Sequence, residues 1–424
     1  MTRKIAFIQL LILLLVSTAF SQNGSNNNFY RTLVQDVRAK AMGNTEILGV
    51  NGSSALFSNP ALLSQLNQFQ LKICGGSYFG WEYNQYMEKE HSGEHESFSS
   101  SFPIVARLNS TSVSYPFLFD GMINNLTLGF GFRYANHMVQ DYESLTKSES
   151  SSIPGNIIEK EVKKYYKGGV RYFSPAVSIE FLEKISLGYT YHYGKNSNLS
   201  SESRTTEREY FLYGRVDVNK FGSKSEYNID AEYQTLALSY FNETFMAGIT
   251  YNTAYKFYYH DIKITSNIGS YQRDDYSRSY PYQIGISLGY YVLPNLLFVH
   301  EIQCRKLTDI AIDGIQSKNK DQFANRFGME FSPTSGVFLR CGAFSDYYLI
   351  ESYSYDSDNY QFYGITGGVG LVHHNFAIDF SAEFLMNYGK DQRYGGSWYD
   401  EYEDIEYEYL YMDFSLTYFI DFSD

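Results

Sequence analysis

The feature that most constrains this chain is an alternation that recurs for some three hundred residues and runs almost to the last one. In 126–135, Leu126, Leu128, Phe130, Phe132 and Tyr134 fall on every second position, with Thr127, Gly129, Gly131, Arg133 and Ala135 between them. A strand has period two, so one face is large and apolar while the other is small or polar. Ile185, Leu187, Tyr189, Tyr191 and Tyr193 oppose Ser186, Gly188, Thr190, His192 and Gly194 in the same way. Tyr282 to Tyr290, Phe376 to Phe384 and Leu410 to Phe422 repeat the split. The reading is all-β.

One strand does not say which face looks inward. In a soluble sandwich the apolar face meets the core; in a membrane barrel it meets lipid, and the polar face lines the lumen. The connections separate the two cases. Short links fall at 119–125, 182–184, 242–244, 293–295, 333–336 and 374–375. Long polar links alternate with them at 81–96, 137–165, 197–209, 261–279, 307–321, 349–358 and 390–406. Six short and seven long links join fourteen strands, the layout of an antiparallel up-and-down outer-membrane barrel. The stretch from Tyr210 to Phe241 is too long for one crossing of about 9–11 residues. It reads as a strand with an extension, with an extra hairpin around 219–225 raising the count to sixteen as the alternative. The inner face would carry Arg133, Glu180, Glu301, Arg305, Glu330, Arg340, Asp379, Glu383 and Asp413, with Phe338, Phe344, Leu385 and Phe419 as inward apolar groups. Mixed charge suits a filled or wet lumen better than a dry core.

Composition agrees. The chain has 42 Tyr and 32 Phe against 2 Trp, 3 Cys and 8 Pro. Tyrosine suits a ring at a membrane boundary with its hydroxyl in water. A formal charge of −13 leaves no basic stripe for nucleic acid. Cys74, Cys304 and Cys341 form no CxxC pair and suggest neither a disulfide framework nor a metal site. Met1 to Lys4 is basic, 5–16 is apolar, and Ala19 and Ser21 are small, so 1–21 reads as a signal peptide cleaved after Ser21.

Residues 38–66 break the alternation. They are small, rich in Gly and Asn, and read as a plug, so 22–66 is assigned to an N-terminal hatch and 67–424 to the barrel. The pattern Ala41-Met42-Gly43, then Ser54-Ala55-Leu56-Phe57-Ser58-Asn59-Pro60-Ala61-Leu62-Leu63, resembles the N-terminal hatch of FadL-type outer-membrane transporters of hydrophobic compounds. Ser174-Pro175-Ala176, Gly328 to Pro333 and Gly367 to Gly370 agree with it, whereas Gly49 to Ser53 stands where that family usually has an acidic spacer. The resemblance implies a fourteen-stranded barrel, a hatch blocking the lumen, and passive diffusion of an apolar ligand such as a long-chain fatty acid, with lateral exit. It also implies hatch or gating roles for Met42, Gly43, Phe57, Asn59, Pro60, Ala61 and Leu63. On turn chemistry alone, Asn59-Pro60 need only start a turn. The same hatch pattern occurs in barrels of the type IX secretion system, so a barrel that anchors or shuttles secreted proteins stays open, as does a structural barrel or adhesin.

Other chemistry is thin. His91-Ser92-Gly93-Glu94-His95 matches a zinc-protease motif, but it lacks the helix that would aim both rings at a metal. Asp400 to Asp404, with Glu406 and Glu408, reads as a solvated acidic loop, with a divalent-cation site as the sharper option; Asp356 and Asp358 are a weaker version. His192 lies on the inner face, and spacing places no serine or acid beside it. The expectation is a monomeric barrel in the outer membrane of a Gram-negative bacterium, inserted by barrel assembly machinery. It needs no cofactor, catalyses nothing, and has lipid and a hydrophobic small molecule as partners.

Overall fold

The computed structural model describes residues 36–80, 83–88, 95–100, 105–149, 157–210, 216–267, 269–280, 282–305, 311–312, 315–316, 322–347, 361–391 and 403–420. The expected signal peptide 1–21, residues 22–35 of the expected hatch, His91 to Glu94, Asp356 and Asp358, and Asp400 to Tyr402 lie outside the described residues.

Fourteen staves make one closed antiparallel sheet. They are β1 Phe69–Gly80, β2 Val105–Leu118, β3 Ile123–Glu149, β4 Ile157–Phe181, β5 Ile185–Tyr210, β6 Val216–Phe241, β7 Phe245–Asn252, β8 Gln283–Leu293, β9 Leu296–Arg305, β10 Gln322–Thr334, β11 Val337–Tyr347, β12 Gln361–His373, β13 Phe376–Asp391 and β14 Glu403–Ile420. Each pairs with the next, and β1 pairs with β14 from Phe69↔Ile420 to Gly80↔Tyr409. Closure leaves no open edge in hydrocarbon, where an unpaired backbone group is expensive.

The burial pattern inverts that of a soluble sheet. On β3, Thr127, Gly129, Gly131 and Arg133 are buried, while Leu128 and Phe132 are exposed. On β5, Ser186, Gly188, Thr190 and His192 are buried, while Leu187 is 49% exposed. An outward apolar wall around a polar interior belongs to a chain dissolved in lipid. No helix among the described residues is long and apolar enough to cross a membrane.

The short links close at one end as tight turns. Leu182 and Glu183 both have positive φ, at 52° and 57°, which matches the twist of the strands they join. The long links differ from expectation. Much of 137–165 and 197–209 is strand: β3 runs 27 residues and β5 runs 26. Glu403 to Glu408 belongs to β14 rather than to a loop. Residues 219–225 lie inside the unbroken β6, so the extra hairpin and the sixteen-strand count are incorrect. Above the membrane both sheet faces meet water, so a polar stretch can stay paired. Cross-strand pairs such as Arg208–Glu161 and Tyr210–Glu159 join these upper strands. Residues 255–266 continue the line of β7 along the upper half of β6.

Residues 36–66 pass through the barrel. The helix α1, Val37–Ala41, is capped by the Asp36 carboxylate, which accepts from Ala39 N at 3.0 Å. Two 3-10 turns follow, Gly52–Phe57 and Pro60–Gln65. Asn59 caps the second turn and Pro60 opens it, where a missing N–H costs nothing.

Candidate functional site

The inner segment is held differently on its two sides. Towards β1 and β9–β14 the contacts are ionic. Arg38 makes a forked pair with Glu330 at 2.7 and 2.8 Å, and Arg340 joins Glu330 to Asp379 at 2.6 and 2.7 Å. Lys40 meets Asp413 at 2.8 Å, and the buried Lys72 ammonium meets Asp36. Glu46 and Glu301 both lie 3.0 Å from Arg326, and Ile47 N donates to Glu301 at 2.7 Å. The Gly43 amide donates to the Thr366 hydroxyl, and Asn44 reaches Glu383 at 3.4 Å.

Towards β2–β7 the contacts are close and, among the described residues, include no ion pair. A Cβ on Gly188 would overlap the backbone of Pro60–Ala61; one on Gly131 would strike Leu56 and Phe57. The Thr190 hydroxyl donates to Leu56 O, Ser178 donates to Ala61 O, and Ser64 donates to Ser186. Asn59 Nδ2 donates to Ile47 O at 2.6 Å and to Ser239 at 3.1 Å, joining the two halves of the segment to the wall.

The residues named from sequence are placed as follows. Met42, Gly43, Phe57, Asn59, Pro60, Ala61 and Leu63 are all buried in the lumen. The backbone of Met42–Gly43 lies against Gly328 and Gly342, and Leu63 lies against Gly129. Of the inner-face charges, Glu301, Glu330, Asp413 and Glu383 touch the inner segment directly, and Arg340 and Asp379 extend the Glu330 pair. Arg305 bonds Asp346 in the wall, and Glu180, near the short turns, accepts from Gln65 at 3.2 Å. Phe344 and Leu385 are buried; Phe338 and Phe419 line a cavity of about 390 Å³ at the short-turn end, together with Leu62, Met246, Tyr291 and Arg38.

Arg133 is 1% exposed and sits over the ring of Phe57. The guanidinium carbon is 5.8 Å from that ring, 4.9 Å from Tyr172 and 5.4 Å from Tyr233. Three ring contacts offer about 0.5–2 kcal/mol each. An unpaired buried ion costs several kcal/mol, so the rings only partly offset it. Beyond Arg133, an apolar cluster of Val170, Tyr172, Ile229, Tyr233, Tyr255, Phe257 and Ile262 lines the inner wall of β4, β6 and residues 255–262.

Spacing missed several partners. Ser174 lies 2.8 Å from His192 Nδ1, and Thr235 lies 3.1 Å from Nε2, so the expectation of no serine beside His192 is incorrect. The two residues meet across strands β4 and β5, which only the register reveals. Both nitrogens face hydroxyls and the ring stacks on Tyr233 at 4.1 Å, an arrangement that packs the imidazole without an orienting carboxylate. Arg326 was legible, because it shares a face with Glu330 at period two. Lys72 and Asp346 likewise lie on polar faces.

No family model matches the chain, and no curated protein matches it. Solved structures do. A Pseudomonas aeruginosa FadL homologue is 12% identical with a TM-score of 0.54, over 91% of this chain and 98% of that one. The Pseudomonas putida toluene transporter TodX is 13% identical with a TM-score of 0.56, over 92% and 100%. The Ralstonia pickettii toluene transporter TbuX is 12% identical with a TM-score of 0.54, over 92% and 99%. At such identities the likeness establishes the fold: this chain is built as the FadL-type barrels are.

Proposed function

We propose that this chain is a passive outer-membrane channel for hydrophobic small molecules such as long-chain fatty acids, with residues 38–66 as its hatch. The observation that carries the reading is the inner segment itself. It crosses the lumen of a barrel with the fold of hydrocarbon transporters, and an apolar cluster lies above it. A molecule caught above the hatch meets rings and aliphatic groups rather than water, and its transfer is favoured by the apolar area it hides.

The uneven seating supports gating. Ion pairs anchor 36–49, whereas 52–66 makes no ion pair among the described residues and rests on small residues, hydrogen bonds and the Phe57 ring over Arg133, so its movement breaks no salt bridge. An exit lies nearby in this reading. The β4–β5 ladder lapses between Phe173↔Tyr193 and Ala176↔Thr190, where Pro175 has no N–H to give. That gap faces the two 3-10 turns, so a shift of the turns opens a path sideways into lipid.

The test is deletion of 38–66. The shortened barrel should still assemble and should pass more ions in a planar bilayer; an unchanged conductance removes the hatch. A second reading, a non-transporting barrel that anchors or shuttles secreted proteins, is favoured by one observation: the dense charge pairing that fills one side of the lumen. Native mass spectrometry of the barrel from its own membranes separates the two. A bound apolar molecule supports the channel, and a stoichiometric protein partner supports the shuttle.

A further inference from the structure

The outward wall carries a side chain that lipid does not suit. On β3, β5, β8 and β13 every outward residue from Leu126 to Phe132, Ile185 to Tyr193, Ile284 to Val292 and Phe376 to Phe384 is apolar or tyrosine. β9 departs from this rule: His300 stands between Phe298 and Ile302 on the outward face, and it is exposed. Its direct partners across the sheet are Leu288 and Phe327, which are 50% and 46% exposed. Ile302, the next outward residue, pairs with Ile286. The imidazole is thus set in the apolar belt, well away from the water at either end. Its backbone carbonyl accepts from Ser287 at 3.1 Å, but among the described residues the ring itself has no hydrogen-bond partner. Asn325, which pairs with Ile302 from β10, is exposed on the same face, and its amide has no partner among the described residues either. Hydrocarbon offers neither group a hydrogen bond, so leaving them bare to lipid costs free energy. Ionisable side chains inside a membrane ordinarily face protein.

We infer that the outward face of β8–β10 docks a second copy of this chain, with His300 at the centre of the contact. The argument for a copy is self-complementarity. An uncharged imidazole has one N–H donor and one bare nitrogen acceptor, and an amide side chain also has both. A two-fold contact sets one patch against itself. One His300 ring then donates to the bare nitrogen of its counterpart, and Asn325 has the same means of pairing. The surroundings are Leu288, Phe298, Ile302 and Phe327, with the two phenylalanine rings 5.9 Å apart. None of these is charged, so two copies meet without stranding an ion, and no partner of opposite charge is called for. The β4–β5 lapse lies on another part of the wall and stays open to lipid. On this inference the working unit is a pair of barrels rather than the single barrel expected from sequence. It does not depend on the channel reading.

The test counts copies in a membrane. The full chain, with its three native cysteines replaced by alanine, receives one fluorescent label at Asp120→Cys in a short turn. It is reconstituted into phosphatidylcholine vesicles at high lipid excess, and bleaching steps are counted spot by spot. Paired barrels should bleach in two steps. His300→Leu should still assemble, because leucine suits the lipid face, and its two-step fraction should fall about fivefold, the equivalent of one hydrogen bond of ordinary net strength. Asn325→Leu should lower the fraction in the same direction, whereas Leu187→Ala, on β5, should leave it unchanged. One-step spots from the unsubstituted wall overturn the proposal, and a different protein retained on the barrel from its own membranes would then name the occupant of this face. An unchanged two-step fraction in His300→Leu also overturns it. If His300→Leu does not assemble, an unchanged fraction in Asn325→Leu overturns it instead.

Discussion

Lys72 carries the clearest residue-scale lesson. It and Asp36 each have side chains 1% exposed, and Asn51 Oδ1 accepts from its ammonium at 3.0 Å. Breaking such a pair leaves one buried charge alone, which costs about 3–5 kcal/mol. Lys72→Met should therefore destabilise the barrel in urea titrations in vesicles, and adding Asp36→Asn should restore much of the loss. A double variant as unstable as the single one contradicts this account. Burial pushes the Asp36 carboxyl up, but the Lys72 ammonium and the Ser54 and Ala39 donors outweigh it, so it titrates below its ordinary 3.8. A depressed carboxyl contributes stability above its unfolded pKa and loses it as pH falls through the folded value. The proposed block of conductance by residues 38–66 should hold from neutral pH down to about 4 and fail only in stronger acid, given an ordinary aspartate pKa near 3.9. Opening near pH 6 in bilayer recordings counts against Asp36 as the anchor. The polar phase of β1 marks Lys72 as inward, but its partner lies 36 residues away on another element, so the pair is not written in any local pattern.

At the scale of the element, the wall has two solvents. Leu128 and Ile286 are 49% and 51% exposed on outward faces. Arginine at either position should cost about 2–4 kcal/mol if it meets the bilayer midplane. An unchanged folding free energy in bilayers would place those faces elsewhere. Gly188 is the inward counterpart: Gly188→Val drives a side chain into the Pro60–Ala61 backbone, so it should unseat the second 3-10 turn and raise conductance. Conductance equal to wild type would sink that contact. The upper strands expose a limit of hydropathy reading. Residues 199–210 are polar on both faces yet paired on both edges, with 157–167 and with 216–227. Their amides should exchange slowly with deuterium, as paired strands do and loops do not. Polarity was legible there; the pairing was not, because a strand in water needs no apolar face.

The whole molecule depends on one seam. β1 and β14 are the first and last staves, and they meet over twelve residue pairs. Cysteines placed at Gln70 and Phe419, which are direct partners, should join within one chain when the three native cysteines are removed. Cross-linked dimers in their place would mean an open sheet. The inner segment also acts at this scale. Arg38 reaches Glu330 across 292 residues of chain, and Gly43 reaches Thr366 across 323. Such contacts tie the inner segment to strands late in the sequence.

The strand period, the number of crossings and the apolar face of each strand were determined by the sequence, because side-chain direction and turn length are local properties of the backbone. The segment from Arg38 to Leu66 was legible for the same reason, as the one stretch that abandons the period. Which charges find partners, why Arg133 finds none among the described residues, and how far the strands continue past the lipid were decided only by tertiary structure. Those facts depend on register, curvature and the depth at which the inner segment lies. They arise when distant faces are brought within a few ångströms of one another, and no spacing along the chain encodes that distance.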